Sequence, residues 1–394
     1  MLAPHPFRLF ANPNAGTPGV VVLPERGFRR ARAEITSWPG YTPTPLRDLP
    51  AIAAAAGVGS VQLKDEAERF GLGSFKALGG AYAVAQVLAA ELARHGVASQ
   101  AGSADLVAGT HAAATRAITV TCATDGNHGR SVAWGAQRFG CRCVIYVHAT
   151  VSQGRVDAIA RYGAEVRRVP GTYDDAVREA ARVADAEGWF VISDTSYPGY
   201  TTVPVEVMQG YRLMADEALD QWQGAPPTHC FVQGGVGGAA AAVSVQLRGR
   251  LGPRPLFVIA EPDKAACLLA SAEVGEPVSI PGDLDTIMAG LACGEPSLLA
   301  WQELSRAGDA FMAVPDEAAV ECMRLLASQG IVAGESGVAG LAALLLAAAD
   351  PAARATLNLG PDSRVLLFST EGATDPELYK RLVGDVSPLS GDAA

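Results

Sequence analysis

The chain has 394 residues, 49% of them hydrophobic and 18% charged, and its 31 basic against 41 acidic side chains give a formal charge of −10. This length predicts two domains, each able to bury a core, and the composition excludes a disordered polyelectrolyte. No broad positive field exists to attract nucleic acid or anionic lipid, and the longest apolar run, AGLAALLLAAA at 339–349, falls well short of the roughly 20 residues of a helical membrane span.

In chain order, the Pro-rich opening as far as Leu46 reads as an extended arm. Its prolines and asparagines interrupt the apolar core that a secretion signal needs, and the seven cysteines have no regular spacing, so a reducing cytoplasm is expected. The Ala-rich stretch 75–96 reads as an amphipathic helix, and ITVTC at 118–122 reads as a strand. Further strands are expected at VIYV (144–147), EVRRV (165–169), FVIS (190–193), CFVQ (230–233), FVIA (257–260) and VLLFS (365–369), with a helix at 174–188. Strands alternating with helices define an α/β protein whose mostly parallel sheets are covered by helices.

Four segments carry polar residues where chain direction changes. In RFGLGSFKALGG (69–80), Lys76 begins a helix beside Ser74 and Phe75. The positive end of the helix dipole disfavours an ammonium there, which suits a lysine that must react as an amine, although a solvated surface lysine is the plain alternative. In TDGNHG (124–129), a strand passes through glycines into a helix, and Asn127 offers a neutral amide to a ring oxygen or carboxylate; turn and cap chemistry explains the same residues more simply. QGGVGG (233–238) has the form of a phosphate nest built on Gly234, Gly235, Val236, Gly237 and Gly238. It lacks the spacing of a dinucleotide or Walker motif, so a single phosphate is its expected ligand. The strand VLLFS ends in Ser369 and Thr370, whose hydroxyls suit a heteroaromatic nitrogen. An amine, an amide, an anion nest and a hydroxyl together match the polar groups of pyridoxal phosphate. Cys141 and Cys143 lack the partners of a zinc site, so no metal is expected. Cys267 and Cys293 read as packed thiols, with a redox-sensitive bridge as the alternative.

Over nearly its whole length the sequence resembles the fold-type II pyridoxal-phosphate enzymes, the group of the tryptophan synthase β-subunit and threonine dehydratase. The stretches that carry the resemblance include YTPTPL (41–46), LKDEAERFGLGSFKALGGAYA (63–83), TDGNHGRSVAWGAQRFGC (124–141), QGGVGG and STEGATDP (369–376). DGNHGR, SDTSYPGY (193–200) and STEGATDP further resemble the diaminopropionate ammonia-lyases. The resemblance implies that Lys76 bonds the cofactor aldehyde beside Phe75, that Asn127 meets the ring hydroxyl, that Gly234 to Gly238 hold the phosphate, and that Thr370 or Ser369 faces the pyridine nitrogen. It also implies a homodimer acting on a small amino acid, with a large cofactor-binding domain of residues 1–88 and 206–394 and a smaller inserted domain of 89–205.

The expected reaction is elimination of ammonia from D- or L-2,3-diaminopropionate. A serine or threonine dehydratase and a silent cofactor-binding protein are the alternatives. Two carboxylates favour a substrate with a second ammonium: Asp125, the expected base on the face opposite Lys76, and Asp194, expected to position the amine. Gly234 stands where the resemblance leads one to expect Ala.

Overall fold

The computed structural model describes residues 2–124, 126–252 and 254–384. Its strands are β1 (Arg8–Ala11), β2 (Leu46–Asp48), β3 (Ser60–Asp65), β4 (Thr119–Ala123), β5 (Arg142–His148), β6 (Glu165–Val169), β7 (Phe190–Val191), β8 (His229–Gln233), β9 (Leu256–Pro262), β10 (Ala310–Val314) and β11 (Arg364–Ser369). They form a seven-stranded sheet in the order β1-β10-β9-β8-β11-β3-β2 and a four-stranded sheet in the order β6-β5-β4-β7. All pairings are parallel except β1 with β10 and β2 with β3, at the two edges of the larger sheet. The α/β class expected from the sequence is therefore the class observed.

Parallel strands covered by helices on both faces lose the alternation of half-buried strands and become continuous apolar runs. Every residue of HCFVQ in β8 and of AFMAV in β10 is buried. At the edge of the smaller sheet, EVRRV in β6 instead mixes exposed and half-buried positions.

The chain divides into two compact units, Met1–Val22, Pro43–Glu68 and Met214–Ala394 in the larger, and Leu23–Thr42 and Arg69–Leu213 in the smaller. The main segment of the smaller unit thus starts at 69 and includes Lys76. The reason is packing: the helix Ala77–Arg94 lies against the helix Asn127–Phe139 at two glycines. A Cβ at Gly80 would collide with the Ser131 hydroxyl, and one at Gly135 would lie 2.8 Å from the Ala81 Cα.

The opening segment is not an extended arm. It forms β1 and a helix, Glu25–Thr36, that buries Phe28, Ala31 and Ile35 on one face. The helix expected at 75–96 runs from Ala77 to Arg94 and is buried nearly all round in its first three turns, more than an amphipathic helix would be. FVIS contributes only Phe190 and Val191 as strand.

Candidate active site

In the smaller unit Lys76 occupies the N-cap of the helix Ala77–Arg94, as its position in the sequence suggested. Its Nζ lies 2.6 Å from Oδ2 of Asp194, 118 residues further along the chain. Nζ also sits over two aromatic faces, 5.3 Å from the Phe75 ring centre and 5.7 Å from that of Tyr211. Those rings pack on each other with centroids 4.6 Å apart, so the amine has an apolar floor and one carboxylate beside it.

Asp194 stands on a firmly held piece of backbone. The Ile192 amide donates to the Thr121 carbonyl at 2.8 Å. The Tyr200 hydroxyl donates to the Val191 carbonyl at 2.8 Å and accepts the Ser193 amide at 3.0 Å. The carbonyl of Ile192 accepts from Nε2 of His128 at 2.7 Å. With these groups occupied the turn has little freedom, and the carboxylate is pre-set toward Lys76. Burial pushes the Asp194 carboxyl up, but the Lys76 ammonium and then His128 more than offset it, and the group is held below the usual carboxylate range.

The DGNHG turn is built by Thr124, whose Oγ1 accepts the amides of Gly126 at 3.0 Å and Gly129 at 3.1 Å. A Cβ at Gly129 would strike the Thr124 methyl, so only glycine fits there. Asn127 opens the helix Asn127–Phe139, and its Oδ1 accepts from Arg130 at 2.8 Å. That bond fixes the amide orientation and leaves its N–H₂ as the donor side. The expected opposite-face base, Asp125, lies outside the described residues.

In the larger unit, QGGVGG connects β8 to the helix Gly238–Arg250, again as the sequence suggested. Gly235 and Gly237 take left-handed φ values of 58° and 94°, which only glycine adopts without strain. The Gly237 amide donates back to the Gly234 carbonyl at 3.0 Å, and the Val236 carbonyl accepts from Ser297 at 2.9 Å. The first-turn amides that follow have no partner within a helix, so the turn has the form of an anion nest. Gly234 is explained by what lies under it: a Cβ there would come within 2.7 Å of the Glu261 Cγ. Burial pushes Glu261 up to about 8, against the amides of Leu268 and Leu269 that hydrogen-bond its two oxygens.

Ser369 and Thr370 are both buried at the end of β11. The Ser369 hydroxyl donates to the Glu371 carbonyl at 3.3 Å. Glu371 in turn accepts the Ser336 amide at 3.0 Å, fixing the loop on which Glu335 and Ser336 lie. Cys267 and Cys293 are not joined by a disulfide, and the Cys267 thiol contacts the Gly235 carbonyl at 3.6 Å, so both lie at the glycine turn without a bridge.

Sequence reasoning did not find Tyr200, Tyr211, Thr124, Glu261 or Glu371. Each acts on a site residue through backbone or ring contacts that no local motif displays, although Tyr200 lies within SDTSYPGY and Glu371 within STEG. No group of three or more potential metal ligands occurs among the described residues, and no described helix is long and apolar enough to cross a membrane.

A lysine at a helix start, a glycine turn of anion-nest form and strand-end hydroxyls on parallel α/β sheets point to a class, and the family model of pyridoxal-phosphate dependent enzymes matches residues 37–371. The chain belongs to that family. It is 41% identical over 355 residues to the diaminopropionate ammonia-lyase of Escherichia coli K12, covering 87% of this chain and 88% of the relative. Two solved structures of the Escherichia coli diaminopropionate ammonia-lyase match as well. The complex with D-serine has a TM-score of 0.86 at 36% identity, covering 96% of this chain and 97% of that one. The complex with an aminoacrylate-PLP azomethine reaction intermediate has a TM-score of 0.85 at 37% identity, with the same coverage.

Proposed function

We propose that this protein eliminates ammonia from 2,3-diaminopropionate, of D or L configuration, giving pyruvate and two ammonia with the uptake of one water. The observation that carries this reading is the half-buried Asp194 carboxylate, fixed 2.6 Å from the Lys76 amine on a turn whose backbone groups are tied down. A serine site has no use for an extra anion beside its reactive lysine. A substrate carrying a second ammonium does, because a desolvated cation needs a paired charge.

The residues fit pyridoxal phosphate, which when bound supplies the electron sink for α-proton removal. Lys76 is the residue to bond its aldehyde, Gly234, Gly235, Val236, Gly237 and Gly238 to hold its phosphate, and the Asn127 amide N–H₂ to meet its ring oxygen, beside Phe75. Thr370 is favoured over Ser369 for the pyridine nitrogen, since the Ser369 hydroxyl is directed at the Glu371 carbonyl. A neutral hydroxyl there leaves that nitrogen less firmly protonated, which favours β-elimination over transamination.

Lys76, once its amine is free, takes the α-proton from one face of the substrate and returns a proton to the leaving β-amine. Asp125 is assigned the α-proton of the opposite enantiomer, and Asp194 the β-ammonium. We further assign the protein to the cytoplasm as a homodimer; seven cysteines without regular spacing agree with a reducing compartment, and sedimentation velocity tests the dimer. The purified protein should absorb visible light through its lysine-bound cofactor and form pyruvate from both enantiomers of diaminopropionate faster than from serine. Turnover of serine alone would make it a dehydratase, and colour without turnover a binding protein.

A further inference from the structure

His128 lies in the first turn of the helix Asn127–Phe139 and is buried. Its Nε2 is 2.7 Å from the Ile192 carbonyl, and since a carbonyl only accepts, that nitrogen carries the hydrogen. In a neutral ring Nδ1 is then a bare lone pair. Nδ1 makes no hydrogen bond among the described residues, yet it lies 3.9 Å from Oδ2 of Asp194. A lone pair facing a carboxylate is repelled; a proton on Nδ1 turns the same geometry into attraction. That Oδ2 is also the atom 2.6 Å from the Lys76 Nζ. One carboxylate oxygen therefore stands between two bases.

The surroundings leave few other charges to act on the ring. Burial disfavours imidazolium, Asp194 favours it, and the Lys76 ammonium disfavours it. Cys122 on β4, Tyr200, and Tyr211 on the helix Thr202–Gln221 lie near Asp194, and burial pushes each of them up, so all three stay neutral. Ser131 donates to the His128 carbonyl, not to its ring. Arg155, on the helix Gln153–Ala160, approaches Gly126, two residues before His128. Among the described residues Asp194 and then Lys76 are thus the charges that act on His128, and of the two only Lys76 has a proton to give.

We propose that His128 is a positioning residue that takes the proton Lys76 must give up to react as an amine. An N–H bond breaks at Nζ and one forms at Nδ1, with Oδ2 of Asp194 passing the proton between them. Ammonium and neutral imidazole become amine and imidazolium, and no charge is created. Among the described residues Asp194 faces one cation before and after the exchange, so the half-buried carboxylate stays paired. An ordinary lysine is protonated at neutral pH and is the stronger base, so the exchange runs uphill and exposes the amine only transiently, without drawing on solvent. The proposal deepens the reading above and rests on Lys76 reacting as an amine, not on which amino acid is consumed.

Two measurements test it, neither of which needs turnover. The chain has six histidines, so ring-¹⁵N spectra can be assigned with His128→Gln as reference. In the cofactor-free protein the His128 midpoint should rise by at least about one pH unit in Lys76→Met and fall again when Asp194→Asn is added. Lys76→Gln serves if Lys76→Met does not fold. An unchanged midpoint overturns the proposal. The second readout is the rate at which added pyridoxal phosphate bonds to Lys76, followed by visible absorbance. His128→Gln should slow it about ten-fold at pH 7 and match the parent above pH 10, where the amine is free unaided. No slowing at pH 7, or the same slowing at every pH, refutes the exchange. A protein that fails to make pyruvate from diaminopropionate would still give both results, so the two readings fail separately.

Discussion

The smaller unit presents its reactive groups as formal charges and a titratable ring, Lys76 with Asp194 and His128, whereas the larger unit presents backbone amides on a glycine turn and the hydroxyls of Ser369 and Thr370. Charges move protons and pair with ammonium groups; fixed dipoles hold an anion and a ring without exchanging anything. The comparison teaches a division of labour. Substitutions in the smaller unit should alter turnover and pH dependence, while those in the larger should alter how tightly the cofactor is kept.

The largest expected effect follows from Lys76→Ala, which should lower pyruvate formation by at least about 10³-fold and abolish the borohydride-stable cofactor adduct seen by mass spectrometry. An adduct surviving on another lysine would break the comparison outright. Asp194→Asn should come next, lowering kcat/KM for diaminopropionate by roughly 10²-fold while serine loses less than about ten-fold, because only one of them brings a second ammonium. Equal losses for the two substrates would mean that Asp194 serves Lys76 alone.

On the other side of the comparison, Gly237→Ala should loosen pyridoxal phosphate and cost about 1–2 kcal/mol of stability. Its φ is 94°, and the new Cβ would lie 3.0 Å from both Ala300 and Leu304. With saturating cofactor its kcat should stay near that of the parent; a kcat loss as large as that of Asp194→Asn would show that the nest takes part in the chemistry.

The smallest effect concerns pH. Burial raises the Glu261 carboxyl to about 8, so between its unfolded value near 4.3 and about 8 the folded chain holds a proton that the unfolded chain has lost. That contribution to stability is complete below the unfolded pKa and disappears as pH rises through the folded one. Melting temperature should therefore decline from pH 5 to pH 8, and Glu261→Gln should flatten the decline.

Much of the candidate site was readable in the chain because glycine and polar residues mark the points where chain direction changes. Lys76, GNHG, QGGVGG and STEG all sit at such points. What could not be read was the long-range partnership: nothing near Lys76 names Asp194, 118 residues away, and nothing in GNHG says that the His128 ring reaches Ile192. In the fold, β3 was hidden by its own composition. QLKD looks like a loop, yet Lys64 is fully buried, 2.7 Å from Glu217 and hydrogen-bonded to the Thr44 carbonyl, so a polar strand is satisfied inside the larger unit. The helix Glu25–Thr36 was masked by its prolines upstream and its many charges, although Phe28, Ala31 and Ile35 mark its inner face.

The carbonyl of Leu78 occupies the space that any side chain at position 210 would need, and Tyr211 with Val207 fills the space beside Gly79. Anyone trying to retune the lysine by random mutagenesis will find position 210 closed, since no rotamer of a neighbour can yield to a clash with backbone, and position 79 closed unless the buried Tyr211 and Val207 side chains move. Useful diversity has to be introduced where no such tie is broken, as at the exposed Tyr197 and Pro198, while the helices behind stay in place.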